Sequence, residues 1–474
     1  MKKTNQLVKT QKLGAAVMLI LINSVLSPVN ANANVKTRCE SKSYERHSLL
    51  LSKLIGLTIK TNSSIEAKAE LVKAANYNFL NKKSYYYPNL KLEFKPLMNY
   101  QMYGFSDDKT TKPADYFYKY NQFLNYTSEI EFQIINLPKF NQMKSSWYNL
   151  KSSQESLSNT ISETLLELTN TYIAAQSLKE AFGEEKQVVS VYKRYAETQL
   201  QLLNAGFSSL LDYNNQNGNY LTFEAKLNNT RSRLKEATDK IYEISSYSMT
   251  EKDFSPIPSP DCLPKLNDLD DLRSKVSKYY QPIKVNEDLG MSFEYLARSE
   301  KNKYLPKITG GYAFSYYSQY GNISGKDNQT YTEFDSYPYV KFSISFNSGG
   351  GEYYASKENE RKSVSYYRLS DEASREAIRE VSSNWSKFEN STSNYFKYKE
   401  IVEDSTKTIR ATQDAINSGL IDYSLFLSSQ SLLFMGIEGR SDSLIDAYSS
   451  YMKIKRLTSD MLQGKNLFTS SKDF

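Results

Sequence analysis

Hydrophobic residues recur with a period of two over four short stretches. Leu90, Leu92 and Phe94 alternate with Lys91, Glu93 and Lys95, and Ile130, Phe132 and Ile134 alternate with Glu129, Glu131 and Gln133. In a second set, Ile308, Tyr312, Phe314 and Tyr316 share one face with Gly310 between them. Val340, Phe342, Ile344 and Phe346 then alternate with Lys341, Ser343 and Ser345. Period two predicts strands with one apolar and one polar face. A length of about ten residues suits a tilted strand across a bilayer.

A different period follows each strand pair. Ile161, Leu165, Leu168, Tyr172, Ala175, Leu178 and Phe182 are spaced by three and four, an apolar seam of coiled-coil type. No proline lies between Pro138 and Pro256, and none follows Pro338. Proline is costly inside a helix, so its absence permits very long ones. Each proline-free stretch is interrupted once, at Gly206 and at Gly419. Glycine there can take the left-handed position that ends a helix. Three residues on, Ser209 or Asp422 can cap the next helix. The pattern predicts two long helical hairpins, the first arm running from about Ser145 to Ala205, roughly 90 Å at 1.5 Å per residue.

The whole arrangement occurs twice. Tyr87-Pro88-Asn89-Leu90 matches Leu305-Pro306-Lys307-Ile308, and a helix-like stretch precedes each: Ser64 to Lys83 and Asn286 to Lys303. The expected organisation is a first repeat over residues 34–255, a proline-rich linker over 256–282, a second repeat over 283–465 and a tail over 466–474. Tyrosines crowd the strand ends, at Tyr85 to Tyr87, Tyr116, Tyr118, Tyr120, Tyr316, Tyr317, Tyr337 and Tyr339. Aromatic girdles of this kind mark outer-membrane barrels. The polar stretches Ser106 to Asp115 and Ser318 to Thr330 then read as surface loops between paired strands.

The N-terminus sets the compartment. Lys2, Lys3, Lys9 and Lys12 precede an apolar run from Leu13 to Leu26, and Ala31-Asn32-Ala33 gives a small-x-small cleavage pattern. Residues 1–33 read as a secretory signal, cut between Ala33 and Asn34. Cys39 lies too far on for a lipid anchor. The whole-chain charge of +7 falls to about +3 without the four signal lysines, which argues against a nucleic-acid partner. The two cysteines, Cys39 and Cys262, form a candidate disulfide in an exported chain. One histidine, His47, cannot build a metal cluster with two distant cysteines, and nothing beside it suggests a catalytic triad. No cofactor is implied, and an exported hydrolase is disfavoured. An exported coiled-coil structural or adhesive surface protein stays open as an alternative.

Four strands cannot close a barrel, and an open edge is not tolerated in lipid. Two copies give eight strands, a barrel filled by its own side chains, while three give twelve and can leave a lumen. The expected fold is therefore a membrane β-barrel joined to a long α-helical barrel: a duplicated strand–strand–hairpin unit, with twelve strands shared by a trimer.

With these features in order, the chain resembles the TolC family of outer-membrane efflux and type I secretion channels, from Ser48 to Leu462. The resemblance rests on Pro88 to Leu90 and Pro306 to Ile308, on Leu137-Pro138-Lys139-Phe140, on Phe346-Asn347-Ser348-Gly349-Gly350-Gly351, and on the two tips. It implies a homotrimeric conduit in the outer membrane with a periplasmic tunnel. A membrane-fusion adaptor and an inner-membrane pump, ABC-type or proton-driven, would dock below, and transport would be passive. The adaptor-facing tips would be Gly206, Phe207, Ser208, Ser209 and Leu210, and Gly419, Leu420, Ile421, Asp422 and Tyr423. Some members of the family carry acidic rings six and nine positions after the second tip glycine. Here those positions are Leu425 and Ser428, while Asp212 stands six after Gly206, so these three are the candidate constriction.

Overall fold

The computed structural model describes residues 42–103, 117–266, 268–323, 326–344, 349–417 and 423–458. The signal segment with Ala33 and Asn34, Cys39, the expected loop near Ser106 to Asp115, and Gly419, Leu420, Ile421 and Asp422 all lie outside these residues. Two helices lead in, α1 (Lys42–Thr61) and α2 (Ser63–Lys83). Strands β1 (Asn89–Tyr103) and β2 (Phe117–Ile135) follow. Then come α3 (Leu137–Asn204) and α4 (Leu210–Ser245), and two helices before the second strand pair, α5 (Leu269–Tyr279) and α6 (Gln281–Lys301). The second half repeats the plan with β3 (Lys307–Ile323), β4 (Lys326–Ser343), α7 (Gly351–Asn417) and α8 (Tyr423–Leu457).

The chain forms two compact units, each drawn from both repeats. One comprises Val72–Ser152 and Asn286–Arg368; the other comprises Met1–Leu71, Ser153–Val285 and Leu369–Phe474. The first holds a single antiparallel sheet in the order β1-β2-β3-β4, which leaves β1 and β4 as edges. Its strands are 15, 19, 17 and 18 residues long, well beyond the ten expected. Ser318 to Thr330, expected as a loop, is mostly strand, with β3 running to Ile323 and β4 starting at Lys326. Backbone pairing needs no apolar face, and the Tyr and Thr residues of this stretch fit a pleated surface.

Within the strand unit, a row of serines seats α7 against α6. Ser356 Oγ donates to the Ala297 carbonyl at 3.1 Å and Ser363 Oγ to the Gly290 carbonyl at 2.8 Å. Ser145 and Ser292 meet at 2.9 Å, and Ser299 donates to the Pro138 carbonyl. A Cβ at Gly290 would stand 3.1 Å from the Tyr367 ring, so small residues set the approach of the helices.

The helical unit is built on apolar burial. Leu165, Leu168, Tyr172 and Ala175 of α3 pack with Leu54 of α1, Ile241 of α4 and Tyr451 of α8. A second cluster joins Val188 and Tyr192 of α3 with Phe223 of α4 and Phe434 of α8. The buried face of α3 is broader than the single seam, since Leu166, Ile173 and Val189 are buried too. Helix α3 also starts before Ser145, because Pro138 occupies its second position, where no helical N–H is needed. The linker is partly helical: Leu272 and Val276 of α5 are buried against Ala377, Val381 and Ile454. Pro256, Pro258, Pro260 and Pro264 precede that helix, and Pro282 follows it.

Candidate functional site

The sheet separates its two faces cleanly. Leu90 pairs with Ile130, Ile130 with Tyr312, and Tyr312 with Pro338. Directly opposed residues share a face. The same face carries Leu92, Phe94, Phe132, Val340 and Phe342, and its apolar side chains stay exposed, Phe342 at 69%. The opposite face carries Lys91, Glu129, Thr127, Ser315 and Asp335, reached through the pairs Lys91–Glu129 and Ser315–Asp335. Glu93 sits between Lys95 at 2.7 Å and Lys91 at 3.6 Å. Tyr339 reaches across β3 and donates its hydroxyl to the Glu129 carboxylate on β2. Gly311 makes that crossing feasible, because a Cβ there would stand 2.6 Å from the Tyr339 ring and 2.5 Å from the Ile130 carbonyl oxygen.

The first hairpin tip is a closed local motif. Gly206 has φ +78°. Its N–H donates to the Leu203 carbonyl at 3.0 Å, and the Phe207 N–H donates to the Leu202 carbonyl at 2.8 Å. This is the Schellman arrangement that satisfies the last carbonyls of a helix. Ser209 then caps α4: its Oγ accepts from the Asp212 N–H at 3.1 Å and donates to the Asp212 carboxylate at 2.6 Å. Ser208 Oγ donates to Gln199 Oε1 at 3.0 Å. Both serine hydroxyls of the tip are thus held internally, while Phe207, Leu210 and Leu211 are 82%, 62% and 68% exposed. Asp212 serves the cap. At the second tip, Tyr423 opens α8, Leu425 is exposed, and Ser428 Oγ donates to the Leu425 carbonyl at 2.8 Å.

One charged residue interrupts the seam of α3. Glu185 falls in the three-and-four spacing after Phe182 and is only 1% exposed. Its Oε2 has no hydrogen-bond partner among the described residues. Burial pushes its carboxyl up to about 7, a hydrogen bond from Thr230 and the charge of Arg233 oppose that, and Glu438 and Asp442 add to it. Arg233 is itself held by Asp442 at 2.6 Å. Sequence reading passed over Glu185, although a carboxylate at a seam position is the signal that would have found it. Cys262 ends a short 3-10 turn, Pro260–Cys262. Among the described residues, no group of His, Cys, Asp and Glu could hold a metal ion, and no helix is long and apolar enough to cross a membrane.

No protein-family model and no curated protein matches the sequence. Solved structures do match in fold. A membrane protein from Pseudomonas aeruginosa aligns at TM-score 0.69 and 13% identity, over 86% of this chain and 93% of that one. The outer membrane protein VceC from Vibrio cholerae aligns at TM-score 0.66 and 11% identity, over 88% and 98%. The Campylobacter jejuni CmeC outer membrane channel aligns at TM-score 0.65 and 10% identity, over 94% and 93%. The chain has the TolC-type fold. Identities this low carry the architecture alone. Strand pairs and helical hairpins alternate twice along this chain.

Proposed function

We propose that the chain is one subunit of a trimeric outer-membrane channel-tunnel that passively conducts substrates delivered by an inner-membrane pump and a periplasmic adaptor. One observation carries this reading: a four-stranded sheet with an exposed apolar face, a charged opposite face and two unpaired edges. In lipid neither edge can stay open. Three copies would close twelve strands around a lumen lined by the charged face, with the apolar face toward lipid. The TolC-type fold supports the same reading, and no chemical step is required of a conduit. The test is reconstitution of the full chain in planar bilayers, alongside electrophoresis with and without heating. A heat-modifiable trimer band and single-channel conductance are expected. A soluble chain with neither would support the coiled-coil surface protein instead.

The tips are proposed as the adaptor-docking ends, since exposed Phe207, Leu210 and Leu211 need cover. Asp212, repeated three times, is the candidate charged ring; Asp212→Asn is expected to weaken cation block of the conductance, and unchanged block would remove it. Cys39 and Cys262 are proposed as one bridge. Alkylation before and after reduction should shift the mass by two labels, and equal masses would exclude the bridge.

A further inference from the structure

The two repeats differ at the helix-facing ends of their strands. From Leu71 to Leu92 and from Phe132 to Gln154 the sequence has no Asp or Glu, yet these stretches carry Lys73, Lys82, Lys83, Lys91, Lys139, Lys144 and Lys151, of which Lys91 pairs with Glu93 just beyond. They form the end of α2, the start of β1, the end of β2 and the start of α3. The fold brings them together, since Tyr86 donates its hydroxyl to the Asn136 carbonyl at 3.2 Å. Four cations of the second repeat are held in ion pairs: Arg298 meets Glu294, Lys303 meets Glu300, and Lys362 meets Glu358, each at 2.5 Å, while Lys357 meets Glu360 at 2.7 Å.

Lys82, Lys139, Lys144 and Lys151 of the first repeat rest on aromatic rings. Lys139 Nζ lies 3.9 Å from the centre of the Tyr85 ring, and Lys82 Nζ lies 5.3 Å from the same ring. Lys151 Nζ is 4.1 Å from Trp147 and 5.5 Å from Tyr148. Lys144 Nζ spans Phe140 and Trp147 at 5.7 and 5.8 Å. Among the described residues, no carboxylate pairs with Lys139, Lys144 or Lys151. Asp288 and Glu294 of α6 reach Tyr148 electrostatically, but the Glu294 carboxylate is already held by Arg298. A ring fixes an ammonium by one side and leaves its N–H donors free for an anion. Aromatic and basic side chains together also anchor proteins at the level of lipid headgroups.

We infer that this collar binds the phosphates of anionic phospholipids in the leaflet nearest the helices. The inference rests on the reading of β1 to β4 as membrane strands; Lys82, Lys139 and Lys144 lie nearest their helix-facing ends, where that leaflet's headgroups would be, and Lys151 lies further down α3. Acid-free basic clusters beside membrane segments gain about fivefold in binding to anionic lipid per lysine. Lys357 and Lys362 of the second repeat, held by Glu360 and Glu358, add little to that preference.

The experiment uses the full chain reconstituted in vesicles of mixed phosphatidylglycerol and phosphatidylcholine, then released into detergent for native mass spectrometry of retained lipid. The wild-type chain is expected to retain phosphatidylglycerol over phosphatidylcholine. The triple variant Lys82→Gln, Lys139→Gln, Lys144→Gln is expected to lose at least tenfold of that preference. The three corresponding Lys→Arg changes should keep it, and so should Lys357→Gln with Lys362→Gln. Equal retention of both lipids by an inserted wild-type chain overturns the inference and leaves the membrane reading standing. So does retention of acidic cell-wall fragments in place of phosphatidylglycerol. A chain that fails to enter vesicles at all overturns both.

Discussion

Helices α3 and α7 occupy equivalent places in the two repeats and differ in length by one residue, 68 against 67. They are held by different chemistry. The buried face of α3 carries two apolar clusters, with Leu165, Leu168, Tyr172, Val188 and Tyr192, set among buried polar residues such as Ser162 and Thr169. Along α7 the buried positions include Ser356, Ser363, Ser370, Asn384, Ser405 and Thr412, most of them seven residues apart. The spacing alone decides which side of a helix meets its neighbour, and both helices obey it. The size and polarity of the residues decide how that neighbour is held. On α3 the hydrophobic effect does it, at roughly 25 cal/mol per Å² of apolar surface buried. On α7 small side chains let a backbone come close, and hydroxyls donate to its carbonyls.

The largest expected effect tests the apolar side of this contrast. Leu168 is fully buried between α1, α3, α4 and α8. Leu168→Ala should remove about 2–5 kcal/mol, through lost burial plus the cavity left behind. Thermal melting of the full chain followed by circular dichroism checks it; a shift no larger than that of a surface substitution would show that α3 is not held by this cluster.

This contrast also explains what was legible in the sequence. The α3 seam could be read because leucine and tyrosine at three-and-four spacing stand out from a polar background. The α7 row could not, because serine every seventh residue looks like solvated surface until a neighbour's carbonyl is found above it. The strand faces were legible near Leu90 and Val340, where charge alternates with aliphatic residues. Their full length was not, since tyrosine and threonine beyond Ser318 serve strand and loop alike. Of the candidate site residues, the turn at Gly206 and the cap at Ser209 followed from local rules. Gly419, Leu420, Ile421 and Asp422 of the second tip fall outside the described residues. Helix α5 was hidden by the prolines before it.

Glu185 is the exception within the α3 seam, and its pH dependence should betray it. Burial raises its folded-state value from 4.5 to about 7. A carboxyl raised on folding holds its proton more tightly than in the unfolded chain. Its contribution is therefore intact below about 4.5 and is lost as pH rises toward 7, by up to ~3 kcal/mol at 1.36 kcal/mol per pH unit. The wild-type melting point should fall between pH 5 and pH 8. Glu185→Gln should flatten that slope and be the more stable form at pH 8. Parallel slopes in the two proteins would mean that Glu185 is ionised in the folded state without penalty.

The serine row is tested by size. Ser363→Leu forces a branched side chain toward the Gly290 backbone and should cost ~1–3 kcal/mol by overpacking. Ser363→Ala keeps the volume and loses one hydrogen bond, so its cost should be ~1 kcal/mol or less. If leucine were tolerated as well as alanine, close approach would not be what holds α7 to α6, and the two helices would be more alike than their buried residues suggest.

The smallest change in stability is expected where α3 ends. Gly206 sits at φ +78° with nothing within 4 Å of where a Cβ would stand, so a substitution there meets strain in the backbone and no clash. Gly206→Ala should cost about 1 kcal/mol, and Gly206→Val somewhat more, because a β-branched residue is poorly accommodated in the left-handed region. Neither change should unfold helices that are anchored by the clusters further along α3. Both should disturb the two hydrogen bonds to Leu202 and Leu203 that aim Phe207 outward. The effect on partner capture is therefore expected to exceed the effect on melting. A pulldown with a purified membrane-fusion adaptor should weaken more for Gly206→Val than for Gly206→Ala, while the melting points differ little. If adaptor capture and export both survive Gly206→Val, the tip is only a turn, and docking belongs elsewhere on the hairpins.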